Sequence, residues 1–348
     1  MNNSLLKEKK ERIWYWDTVK FLMILSVVLG HYVEEISDWR MDILPLKMFI
    51  YSYHMPIFIF IFGVFHSQKN FVRKALFYLV AGYLFKAFSY FSALVINGRA
   101  TFTMFYDSGA TWFLFVLLWY SVLSKLLEKA DKRLVLIISF VISLFTGYFK
   151  AIGDCLCISR MLVFFPYFWL GTMINRDSLL QTVRKLRKYL RIPAACLLIG
   201  WLVLCFLKHD ELNVLMHLLS GRNPFLKSTD GMGCLYRLLT TAVTVIVGMA
   251  IFIVVPEKKV PIISYMGRNT INVYFWHYTL IYITFRFLDV GDIVRTNAGI
   301  ALILLIAVAQ TLLLSLDIFN FPLKPLNRFI MNFKKKDVVA LSADRVTK

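Results

Sequence analysis

The residues best equipped for chemistry stand inside an apolar run. Residues 14–32 read WYWDTVKFLMILSVVLGHY and carry Asp17, Lys20 and His31. At 100° per residue, the eleven steps from Lys20 to His31 return to one helix face after three turns, a rise of roughly 16 Å. Asp17 lies within about 40° of that face. One lipid-length helix therefore places a cation low and an imidazole high on a single stripe. Ionisable groups at membrane depth are costly, and they face a bundle interior or a water-filled cavity. The plainer alternative has Asp17 and Lys20 snorkelling at the helix entrance; it leaves His31 and the shared face unexplained. An imidazole suits general-base work. Glu34 and Glu35 follow His31 by three and four residues, within reach of its ring, where a carboxylate orients it and fixes its tautomer.

Other apolar runs open on polar residues. YSYHMPIFIFIFGVF (51–65) brings His54, and its Pro56 disturbs the local hydrogen bonding and frees carbonyls. GATWFLFVLLWY (109–120) brings Trp112, as much a membrane-belt anchor as a site residue. SRMLVFFPYFWLG (159–171) brings Arg160. MGRNTINVYFWHY (266–278) brings Arg268, Asn269 and His277, the last equally readable as a satisfied packing residue.

The elements that must position these groups are membrane helices. Of 348 residues, 59% are apolar, 16% are aromatic and only 18% are charged, the composition of a polytopic α-helical membrane protein. A β-barrel alternates apolar and polar residues, whereas these apolar runs are continuous. The net charge of +19 flanks those runs and forms no soluble domain, so no nucleic-acid partner is expected. The basic start (Lys7, Lys9, Lys10, Arg12) is not read as a cleaved signal, because Asp17 and Lys20 interrupt the apolar core and no small-residue cleavage site follows. Of the five cysteines, Cys155 and Cys157 form a C-x-C pair, which is weak evidence for metal; no metal is expected.

Ten spans are expected: 15–35, 48–66, 75–96, 110–127, 134–149, 160–175, 191–207, 233–255, 269–287 and 297–319. With the N-terminus inside, most Lys and Arg fall in the alternate segments that are then cytoplasmic, including Lys69, Arg73 and Lys74, the run Arg184–Arg191, and the tail from 321. The positive-inside rule thus predicts an all-α protein of about ten transmembrane helices with both termini cytoplasmic, 1–348 forming one integral membrane domain. The basic stretch 176–191 is either an amphipathic helix on the inner leaflet or a topology-setting charge run. The long outer loop 208–232 either covers an outward site or simply connects.

This topology gives each polar residue a depth. His31, His54, Arg160, Glu34, Glu35 and Trp112 gather at the outer side. Asp17, Lys20, Arg73, Lys74 and Arg268, with Asn269, lie at the inner side, cationic and suited to phosphate. A reaction with a cytoplasmic donor and an outward acceptor fits. Coenzyme A phosphates would sit at the inner mouth, and the pantetheine arm would thread the roughly 16 Å to His31. His31 would deprotonate an acceptor hydroxyl, with Arg160 stabilising the oxyanion.

The D-x-x-K-x10-H run of Asp17, Lys20 and His31 resembles the Arg/Lys-x10-His signature of acyltransferase family 3, the integral membrane O-acyltransferases. HMPIFIFIFGVF, TWFLFVLLWY, SRMLVFFPYFWLG and GRNTINVYFWHY follow in the order that family shows, and together they look most like its fucose 4-O-acetylase-like branch. The resemblance covers nearly the whole chain. It implies ten helices, acetyl-CoA as donor, a cell-envelope carbohydrate as acceptor, a bacterial cytoplasmic membrane location, and Lys20 and His31 as essential. Two positions depart from the pattern: Phe62 precedes Gly63 where members often have Ser, and Thr270 replaces a frequent Ser. No extracytoplasmic hydrolase-like domain is expected, so any acyl hand-off to one would be in trans. A transporter of acyl groups or glycans is the main competing class and predicts flux without a covalent product; no internal repeat supports it. A sensory membrane module is the third.

Overall fold

The computed structural model describes residues 13–332 except 108, 223, 228, 229 and 259. The basic start with Lys7, Lys9, Lys10 and Arg12, Lys259, and the tail from 333 lie outside the described residues. Fifteen α-helices follow in chain order, and no β-strand occurs among the described residues. They are α1 Trp14–Ile36, α2 Leu44–Tyr51, α3 His54–Val64, α4 Phe71–Asn97, α5 Trp112–Leu126, α6 Lys132–Phe145, α7 Ile158–Met173, α8 Arg176–Leu207, α9 His209–Leu219, α10 Gly233–Val254, α11 Pro261–Met266, α12 Thr270–Phe287, α13 Val290–Ile293, α14 Asn297–Leu314 and α15 Leu323–Asn332.

Among the described residues, five helical segments are long and apolar enough to cross a membrane: Met41–Val64, Phe71–Asn97, Arg176–Leu207, Gly233–Val254 and Asn297–Leu314. Their outward faces carry exposed residues such as Ile199 and Leu305, as lipid-facing helices should. α1 is not among the five. Helix underlies each of the ten expected spans. The basic stretch 176–191 is continuous with the span after it, in one 32-residue helix capped by the Asn175 side chain on the Asp177 and Ser178 amides. The long loop from 208 contains α9.

α1 is the centre of the bundle. It packs against α2, α3, α11, α12 and α14, and most of its residues are buried, Val19, Tyr32 and Val33 completely. Two close approaches fix its neighbours. A Cβ on Gly267 would meet the Asp17 carbonyl oxygen at 1.8 Å, so only glycine lets the turn after α11 sit on the start of α1. Gly63 of α3 and Gly171 of α7 face each other, where a Cβ would meet the Phe168 oxygen at 2.1 Å or the Phe60 oxygen at 2.3 Å. That contact sets α7, with Arg160, beside α3, with His54.

The expected second span is broken at Ser52–Tyr53. Pro56 has no N–H to give to Ser52, four residues back. The freed Ser52 carbonyl instead accepts from the Thr244 hydroxyl of α10 at 2.7 Å. The break puts His54 in the first turn of α3, where its Nδ1 donates to the Ile50 carbonyl at 2.9 Å. A carbonyl only accepts, so the proton is on Nδ1 and the lone pair on Nε2.

Candidate active site

The α1 stripe lines two neighbouring cavities that share wall residues. Lys20, Ile24 and Val27 line a cavity of about 320 Å³. Val27, His31 and Glu34 line a chamber of about 100 Å³. Val27, Met55 and Tyr274 belong to both walls. The positions step by four, three, four and three residues, the rhythm of one helix face. The lower cavity is walled mainly by aromatic and aliphatic groups, among them Phe58, Phe62, Phe113 and Tyr78, with Lys20 at one end.

His31 is held from one side. Its Nδ1 lies 3.1 Å from the Tyr278 hydroxyl and 3.5 Å from a Glu34 carboxylate oxygen. The carboxylate favours the proton on that nitrogen, which leaves the lone pair on Nε2. Glu34 is held in turn by Lys47 and the Tyr51 hydroxyl, each at 2.9 Å. No hydrogen bond or ion pair ties Glu35 to His31 among the described residues. The His277 ring stacks on His31 with centroids 5.3 Å apart. Its Nδ1 donates to the Tyr274 carbonyl at 2.8 Å, and its buried Nε2 has no partner among the described residues.

The opposite wall carries His54, Trp112 and Arg160. The Arg160 guanidinium lies over the Trp112 ring, 4.9 Å from its centroid, and is 5% exposed. It donates to the Asp107 carbonyl at 3.1 Å and stands 3.9 Å from Asp154. The loops before α5 and α7 are bound together by Asp107 N–H to the Asp154 carbonyl at 3.2 Å, and by Leu156 N–H to the Phe105 carbonyl at 2.6 Å. The Tyr274 hydroxyl donates to the Ala110 carbonyl and ties α12 to the start of α5.

At the other end, Lys20 pairs with buried Asp17 at 2.7 Å. Arg268 is exposed at the same end of α1 and covers the Trp14 ring, 4.9 Å from its centroid. Arg73 donates to the Met331 carbonyl and Lys74 to the Ser67 carbonyl. Asn269 joins α12 to the end of α14 through the Ser315 carbonyl and Asp317. Arg73, Lys74, Arg268 and Asn269 are thus not brought into the wall of the Lys20 cavity.

The outer grouping expected from sequence is brought together, apart from the missing Glu35 contact, and three participants join it. Tyr278 was visible as the residue after His277 in a segment already marked out. Tyr51 and Lys47 reach Glu34 only through the fold. Among the described residues, no group of three or more His, Cys, Asp or Glu is placed to hold a metal ion.

The site sets an imidazole beside a carboxylate and a phenol among apolar helices. The family comparison makes the class specific. The model of acyltransferase family 3, described as an acyltransferase domain, matches residues 13–318, and the chain belongs to that family. The protein is a membrane acyltransferase. Neither a curated protein nor a solved structure matches it.

Proposed function

We propose that the protein moves an acetyl group from cytoplasmic acetyl-CoA to a hydroxyl of a cell-surface polysaccharide or its lipid-linked precursor, in the manner of the fucose 4-O-acetylase-like branch of its family. In this reading the chain crosses a bacterial cytoplasmic membrane ten times with both ends inside. The observation that carries it is the pair of neighbouring cavities that share Val27, Met55 and Tyr274, one lined by Lys20 and the other by His31. The narrow, apolar lower cavity suits a pantetheine arm. Lys20 and, further in, Arg268 offer positive charge to the nucleotide phosphates.

The acceptor oxygen attacks the thioester carbonyl carbon and its proton passes to His31 Nε2. Glu34 and Tyr278 hold Nδ1 and steady the imidazolium that results. The carbonyl oxygen becomes an oxyanion facing the Arg160 guanidinium, with Trp112 behind it and His54 in the same wall. The C–S bond then breaks, and the proton on His31 goes to the sulfur. The products are an O-acetyl ester and free coenzyme A. The test is the base-labile acetyl content of the surface polysaccharide, read by proton NMR from cells with and without the protein. The reading predicts O-acetyl signals that vanish without it; equal signals overturn it.

A further inference from the structure

A third cavity shares wall residues with the His31 chamber and has no part in the proposed reaction. It encloses about 260 Å³ between the outer half of α4, the 99–111 loop and α12. It meets the His31 chamber at Gly109, Ala110 and Tyr278. Its wall is unlike that of the Lys20 cavity. Ser89, Thr101 and Thr103 bring hydroxyls, Tyr90 and Tyr282 bring phenol rings, and Lys86 and Asp107 bring opposite charges.

The cavity is built rather than incidental. Lys86 projects from the middle of a membrane-length helix, a costly place for a cation. Its Nζ donates to the Tyr106 carbonyl at 2.6 Å and stands 4.0 Å from Asp107, with the Phe102 ring centroid at 6.0 Å. Lys86 therefore fastens the loop over the opening. Tyr282 lies one turn beyond Tyr278 on the same face of α12, with ring centroids 5.9 Å apart, and Tyr278 bonds His31. Tyr90 and Phe102 meet edge to face with centroids 5.8 Å apart.

A pyranose ring has apolar C–H faces and a rim of hydroxyls. Aromatic surfaces interleaved with hydroxyl and charged groups match both features. A pantetheine arm matches the Lys20 cavity better than this one. We propose that this third cavity is the acceptor limb of the site: a sugar ring of a saccharide lies among Tyr90, Phe102 and Tyr282 and presents a hydroxyl past Tyr278 to His31, from the side opposite the donor. The fate of that hydroxyl rests on the acetyl-transfer reading; the binding of the saccharide does not.

The test uses the full chain in lipid nanodiscs. The probe is end-labelled oligosaccharide cut from the native host's surface polysaccharide and freed of esters by mild base. Tyr90→Ala and Tyr282→Ala should each weaken equilibrium binding about tenfold while acetyl-CoA binding stays at the wild-type level. Tyr282→Phe keeps the ring and should recover most of the binding. Ala93→Trp fills the cavity from α4 without removing a wall contact and should block it. Undiminished binding in both tyrosine-to-alanine variants and in Ala93→Trp overturns the proposal, as does absence of binding to the wild-type protein. Saccharide that binds through Tyr90 and Tyr282 yet is never acetylated supports the cavity and overturns the transfer reading instead.

Discussion

Replacing Glu34 by Gln removes one charge and almost no volume at the group that holds His31. The carboxylate oxygen lies 3.5 Å from Nδ1. At about 4 Å and an effective dielectric of ~20, such a charge stabilises an imidazolium by about 4 kcal/mol. The Glu34 side chain is 45% exposed and is shared with Lys47 at 2.9 Å. Solvent screening and that sharing reduce the benefit to about 2 kcal/mol. In the proposed mechanism His31 becomes an imidazolium as it takes the acceptor proton, so the loss falls on the transition state, about thirtyfold in kcat. The apparent KM for acetyl-CoA should not move, because Glu34 lines the chamber and not the Lys20 cavity. Initial rates of CoA thiol release, matched to acetyl gained by the oligosaccharide, read both constants. A kcat for Glu34→Gln within about twofold of wild type refutes the reasoning, as does a loss carried entirely by KM.

Lys20→Ala should raise the apparent KM for acetyl-CoA about tenfold, the worth of one charge-assisted contact, and Lys20→Arg should recover much of it; substrate titrations check both. Gly63→Ala puts a methyl where the Phe168 oxygen would be 2.1 Å away. The α3–α7 pair must part, at a cost of about 1–3 kcal/mol, visible as a lower melting temperature in detergent. Burial pushes the Asp107 carboxyl up to about 6, against the lowering effect of Lys86 and Arg160. A carboxyl raised in the folded state favours its protonated form. Its cost is therefore full above about pH 6 and is relieved as pH falls towards 4. Asp107→Asn should raise the melting temperature at pH 8 and flatten that dependence between pH 7 and 4; an unchanged slope would count against it.

The chemistry-bearing face was legible because it is local. Helical periodicity alone aligned Lys20 with His31 and put Glu34 one turn further. Pro56 announced a disturbed helix, although not that Thr244 would take up the Ser52 carbonyl, which depends on α10 crossing there. The inner cationic grouping reads differently in space. Arg73 and Lys74 are near Lys20 in expected depth, but each spends its charge on a backbone carbonyl in its own neighbourhood. Depth along the membrane normal is one coordinate; position around the bundle is not encoded in charge counting. The same limit hid Tyr51 and Lys47. The length of α8 is obscured in the sequence because its charged first half reads as a separate interfacial helix or a charge run, whereas one helix continues from it into the apolar run without interruption. His277 looked like a packing residue, and its buried ring does pack, but the surface it packs on is His31.

The most direct measurement follows radiolabelled acetyl from acetyl-CoA, supplied to the cytoplasmic face of sealed membrane vesicles, into polysaccharide on the other side. With His31→Ala the label should fall to background, about a thousandfold or more below wild type, while the amount of inserted protein stays unchanged. Label at the wild-type level in that variant would contradict His31 as the base.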